Sequence, residues 1–104
     1  MDHKIGSGAR CAMIGYGSWA TALAKVLTEN EPSIGWYVRN PEVLESLRDK
    51  GRNPRYLSNV RFDRTRINPS DDLDRVVSEA DIVILAVKPK DQRAVIKEIS
   101  PIVV

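Results

Sequence analysis

The sequence predicts an α/β fold built around a parallel sheet, on three observations. Short apolar runs alternate with stretches of helical periodicity, the first run stops at a glycine-rich turn, and a second long apolar run, Ile82 to Val87, returns late in the chain. Strand followed by helix, repeated, is the alternation that right-handed crossovers turn into a parallel sheet.

Each element follows from its residues. Cys11-Ala12-Met13-Ile14 is a continuous apolar run ending at Gly15, the pattern of a strand covered on both faces. Ala20, Leu23, Ala24 and Leu27 then mark one helical face, with Ser18 as the expected cap and Glu29-Asn30-Glu31-Pro32 breaking the helix near Thr28. Ile34 to Val38, containing Trp36 and Tyr37, reads as a second strand. Asn40 caps and Pro41 opens a second helix, which turns Val43, Leu44 and Leu47 inward and stops at Gly51.

From Gly51 to Ser70 the periodicity lapses. Two prolines, five arginines and three asparagines in this stretch suit an excursion over the domain surface. Ser70-Asp71-Asp72 then caps a helix carrying Leu73, Val76, Val77 and Ala80, and Ile82 to Val87 is the strongest buried-strand signal in the chain. Pro89 ends that strand, and Asp91 to Ile99 forms a last short helix.

Composition narrows the class. At 104 residues the chain holds one domain, with 1–9 expected as a loose lead-in and 10–104 as the folded unit. Sixteen basic residues against 14 acidic ones, interspersed, give no block for nucleic acid, and no apolar run is long enough to span a membrane. Cys11 is the only cysteine, which excludes an internal disulfide and makes a reducing, cytoplasmic setting the default. The closing Ile102-Val103-Val104 has the look of a strand just beginning, so the expected sheet is truncated on its C-terminal side and would leave apolar surface open to association, a homodimer included.

The glycine turn carries the chemistry. Gly15-Tyr16-Gly17-Ser18-Trp19-Ala20 fits Gly-x-Gly-x-x-Gly/Ala between a buried strand and an amphipathic helix, where the mechanism of a dinucleotide fingerprint requires it. Gly15 makes the tight turn, Gly17 lets a pyrophosphate approach the backbone, and Ala20 lets the helix pack close to the strand. The expected fold is therefore a Rossmann-type doubly wound parallel sheet binding NAD or NADP. The end of the second strand reads Val38-Arg39-Asn40, with no acid to accept from ribose hydroxyls. The Arg39 guanidinium can instead pair with a 2′-phosphate and stack on adenine, which predicts NADPH binding at least as good as NADH.

Three blocks resemble the bacterial NAD(P)-dependent glycerol-3-phosphate dehydrogenases: Gly15 to Ala24, Trp36 to Glu42, and Asn53-Pro54-Arg55-Tyr56-Leu57. Ala80 to Val87 continues the likeness, which spans the chain from Arg10 onward. The resemblance implies an N-terminal cofactor domain of a cytoplasmic enzyme that interconverts glycerone phosphate and glycerol 3-phosphate for phospholipid synthesis. By the family pattern Ser18 and Trp19 line the pyrophosphate, Arg39 the adenosine end, and Tyr56 is a further contact. Local alternatives stay open: Ser18 as a helix cap, Trp19 as a packing residue, Tyr56 as a surface anchor.

Val87-Lys88-Pro89-Lys90 departs from the family's Pro-Ser turn toward the pattern of pyrroline-5-carboxylate reductases, and Lys88 and Lys90 read as solvated side chains. The family's catalytic lysines lie beyond the aligned region, so no catalytic residue and no metal ligand is expected here, and the chain alone should bind cofactor without turnover. Two other readings remain open: a free-standing NAD(P)-binding regulatory module, and a reductase acting on an imine such as pyrroline carboxylate.

Overall fold

The computed structural model describes residues 9–102. Its elements, in chain order, are β1 (Cys11–Ile14), α1 (Ser18–Asn30), β2 (Ile34–Tyr37), α2 (Pro41–Lys50), β3 (Ile67–Ser70), α3 (Leu73–Ser78), β4 (Ile82–Leu85) and α4 (Pro89–Ile99). The four strands form one parallel sheet in the order β3-β2-β1-β4. The chain winds outward from β1 to β3, then crosses back to place β4 on the other side of β1. That reversal opens a crevice at the carboxyl ends of β1 and β4, the position where such sheets bind ligands.

The pleat divides the residues of β1 and β2 between two layers. Cys11, Met13, Ile34 and Trp36 join Ala20, Ala24 and Leu27 of α1 and Val43, Leu44 and Leu47 of α2 in one buried cluster. On the opposite face a Cβ at Gly35 would lie 3.5 Å from Ala12 Cβ and 3.8 Å from Val76 Cγ1, so α3 covers that side. Trp36 is fully buried and meets Phe62 edge-to-face, with ring centroids 5.3 Å apart.

Several expectations are corrected. Helix α1 begins with Gly17 at its N-cap and no side-chain cap, so Ser18 lies inside the helix and does not cap it. It continues to Asn30, beyond Thr28. Strand β2 stops at Tyr37, although the Val38 N–H still bonds the Ser70 carbonyl at 2.9 Å. Helix α4 starts at Pro89.

The stretch from Gly51 to Ser70 is not an excursion throughout, because its end supplies β3 at the sheet edge. Pro69 hid that strand: a proline lacks the ladder N–H and is tolerated only where one flank of the strand is free. Conversely, β4 is half-buried along its whole length, not fully covered, because among the described residues nothing pairs beyond it. Helix α4 likewise buries no residue completely. Ile102 lies in a turn; the remainder of the expected final strand, 103–104, and the lead-in before Ala9 fall outside the described residues.

Two further ends fall short of the pattern: α3 stops at Ser78, which leaves Ala80 outside the helix, and β4 stops at Leu85, before Ala86 and Val87. The caps of α2 and α3 agree with it. Asn40 accepts from Glu42 N at 2.9 Å and Val43 N at 3.3 Å, and Gly51 ends α2 at φ 68°. Asp72 caps α3 by accepting from Arg75 N at 3.2 Å. No helix among the described residues is long and apolar enough to cross a membrane.

Candidate functional site

The turn after β1 is shaped by two glycines used differently. Gly15 has φ 125°, a conformation L side chains avoid, and a Cβ there would overlap the Ala86 carbonyl where β4 ends. Gly17 has an ordinary φ of −74°, and a Cβ there would meet no atom within 4 Å. Nothing in the described chain requires Gly17 to be small. Ala20, one turn later, is buried and lets α1 approach the core closely.

The carbonyls of the turn are all held from within. Trp36 Nε1 donates to the Gly15 carbonyl at 2.6 Å, and Asn53 Nδ2 donates to the Tyr16 carbonyl at 2.7 Å. The Gly17 carbonyl accepts from Thr21 N at 2.9 Å and Thr21 Oγ1 at 2.7 Å. Asn53 is fully buried and uses its whole amide: it also donates to Thr21 Oγ1 at 3.1 Å and accepts from Arg55 N at 3.0 Å and Tyr56 N at 3.2 Å. The irregular loop is thereby fastened to the glycine turn.

A groove of about 420 Å³ opens over this turn at the carboxyl ends of the strands. Gly15, Gly17, Arg39 and Tyr56 line it together, although they come from three separate parts of the sequence. A smaller slot of about 60 Å³ adjoins Arg39 and is walled mainly by Ile14, Tyr37, Leu73, Val87 and Val95. Arg39 is exposed and makes no ion pair or hydrogen bond with the described residues. Ser18 and Trp19 stand exposed on the first turn of α1, and Trp19 is 65% accessible, which argues against a packing role for it within this chain. Tyr56 is 38% accessible.

Lys88 and Lys90 are exposed as expected, and both form part of the groove wall. The groove thus gathers Arg39, Lys88 and Lys90 against Asp91 and Glu98, a local cationic excess suited to phosphate. Helices α1 and α4 both begin at this groove and lack side-chain caps, whereas α2 and α3 are capped by Asn40 and Asp72. A second open groove of about 470 Å³ lies between β3 and α3; two of its three arginines, Arg10 and Arg75, are paired with Asp81 and Glu79. It has no glycine turn and is the poorer anion site. Among the described residues no cluster of His, Cys, Asp or Glu forms a metal position.

A family model described as "NAD-dependent glycerol-3-phosphate dehydrogenase N-terminus" matches residues 10–104. The chain belongs to this family. A curated relative, glycerol-3-phosphate dehydrogenase [NAD(P)+] from Bacillus subtilis, is 34% identical over 94 residues, covering 90% of this chain and 27% of the relative. The Nocardia farcinica enzyme of the same name is 36% identical over 85 residues, 82% of this chain and 25% of that one. The chain therefore spans about a quarter of these relatives. Among solved structures, the glycerol-3-phosphate dehydrogenase of Plasmodium falciparum superposes with a TM-score of 0.81 at 26% identity, over 90% of this chain and 29% of that one. These matches favour the dehydrogenase resemblance over the pyrroline-carboxylate and free-standing-module readings.

Asn53, Thr21 and Trp36 were legible only as members of blocks or elements, although each meets the turn directly. The Asn-Pro pair at 53–54 was the one available signal, since asparagine before proline favours a side-chain-stabilised turn.

Proposed function

We propose that the chain supplies the NAD(P)-binding part of a glycerol-3-phosphate dehydrogenase, an oxidoreductase interconverting glycerone phosphate and glycerol 3-phosphate in the cytoplasm. The observation that carries the reading is Gly17: a glycine with no packing reason to be small, set at the uncapped start of α1 beneath a cationic groove. That cradle fits a dinucleotide pyrophosphate, whose oxygens take free amide N–H groups and the positive end of the helix. Ser18 and Trp19 flank the phosphates on the first turn. Arg39 takes the adenosine end, beside a slot whose apolar walls suit adenine, and Tyr56 closes the wall of the groove.

When bound, the dinucleotide supplies or accepts hydride at its nicotinamide. The residues of this chain bind and orient it, and none is assigned a catalytic step. Arg39 pairs with a 2′-phosphate through a planar fork of donors, so NADPH binds at least as well as NADH. Titration of the 104-residue chain with each cofactor, followed by Trp19 fluorescence and calorimetry, tests this. Saturable binding with NADPH equal or tighter supports the assignment; folded protein that binds neither cofactor overturns it.

A further inference from the structure

The backbone of the glycine turn is set by three fully buried residues. Three successive carbonyls, of Gly15, Tyr16 and Gly17, are engaged by Trp36, Asn53 and Thr21 respectively. No described peptide is cis, and in a planar trans peptide the C=O and the following N–H point in opposite directions. Fixing those three oxygens inward therefore aims the N–H groups of Tyr16, Gly17 and Ser18 the other way. None of the three donates a hydrogen bond to a described residue, and Tyr16 and Gly17 line the groove.

We propose that Asn53 is a positioning residue, backed by Trp36, that presets these peptide planes so that successive amides face a phosphate. The inference rests on the reading of the groove as a dinucleotide site and deepens it. Asn53 suits the task because its amide has no slack. Two N–H bonds hold Tyr16 and Thr21 while its oxygen holds Arg55 N and Tyr56 N, and the flipped amide would set NH2 against two N–H groups and its oxygen against two other oxygens. With the planes already fixed, a ligand gains the amides without ordering them.

Asn53→Asp keeps the acceptor for Arg55 and Tyr56 but removes both donors and sets a carboxylate oxygen against the Tyr16 carbonyl. With the variant verified as folded by circular dichroism, NADPH affinity falls about 10- to 100-fold, the range for a lost charge-assisted hydrogen bond. Affinity for adenosine 2′-monophosphate, which lacks the pyrophosphate, stays within about twofold, a split that a merely structural role would not produce. Trp36→Phe shows the same split more weakly.

In nitrogen-15 NMR of the wild-type chain, pyrophosphate moves the Tyr16, Gly17 and Ser18 amides most. Where Asn53→Asp does not fold, Asn53→Ser, which removes the donor to the Tyr16 carbonyl without burying a charge, decides the matter by the same split between NADPH and adenosine 2′-monophosphate. Unchanged NADPH affinity in folded Asn53→Asp or Asn53→Ser overturns the positioning role, whereas pyrophosphate shifts centred elsewhere overturn the phosphate-site reading on which it rests. Failure of the wild-type chain to bind NADPH overturns the dinucleotide reading itself.

Discussion

Gly15 and Gly17 stand two residues apart and respond to substitution in opposite ways. Gly15→Ala forces a side chain into a positive-φ position against the Ala86 carbonyl, so denaturant unfolding should show a loss above 1 kcal/mol, on the order expected for backbone strain. Gly17→Ala meets open space at an ordinary φ, so the midpoint of unfolding should barely move while NADPH affinity falls about tenfold or more. Equal effects of the two substitutions on stability would contradict this division. Arg39→Glu is expected to weaken NADPH selectively, because the 2′-phosphate is what separates the two cofactors; equal losses for NADPH and NADH would remove the assignment. At the other end of β1, burial pushes the Cys11 thiol pKa up, with the negative charges of Glu31 and Asp81 adding to the effect. Because the folded state resists deprotonation, this contribution is fully present below the ordinary thiol range. It is lost as pH rises through the folded value. Urea unfolding should therefore show stability declining on the alkaline side less steeply in Cys11→Ala than in the natural chain.

At the scale of elements, capping decides where helices begin. Asn40→Ala removes the acceptor for Glu42 N and Val43 N and should cost about 1 kcal/mol in urea unfolding, with α2 fraying at its start. Helices α2 and α3 could be placed from the sequence because their signals are local: Asn40 with Pro41, Gly51, and Asp72 all act within one turn of themselves. Strand β1 was equally legible, as four apolar residues ending at a glycine. Strand β3 was not, since Ile67-Asn68-Pro69-Ser70 has neither alternation nor an apolar run and is a strand only by pairing with β2. The burial of β4 was overstated for a related reason: an apolar run declares what a strand can bury, while its place at a sheet edge decides what it does bury. At the site, the glycine turn and Arg39 were visible as a motif and its expected partner. The linkage of Asn53 to Tyr16 crosses 37 positions of sequence, and no spacing rule reaches that far.

Over the whole molecule, the sheet order places every assigned groove residue at one end of the strands and leaves the sheet's own interior to packing. The backbone is compact, with a radius of gyration of 13.0 Å, close to that expected for a folded unit of this size. The contrast between capped and uncapped helices has a thermodynamic consequence. Where α2 and α3 carry their own terminating groups, α1 reaches the groove with amides that the described chain leaves without acceptors, so a bound phosphate would complete a secondary-structure element as well as occupy a pocket. Folding and occupancy are then linked equilibria. At a free cofactor concentration 100 times its dissociation constant, the native state gains about 2.7 kcal/mol. Thermal melts should accordingly rise by ten degrees or more, on the order of 4–8 °C per kcal/mol for a unit of this size. Hydrogen exchange should slow first at the opening turn of α1, so that the nucleotide acts as the missing end group of a helix the polypeptide leaves unfinished.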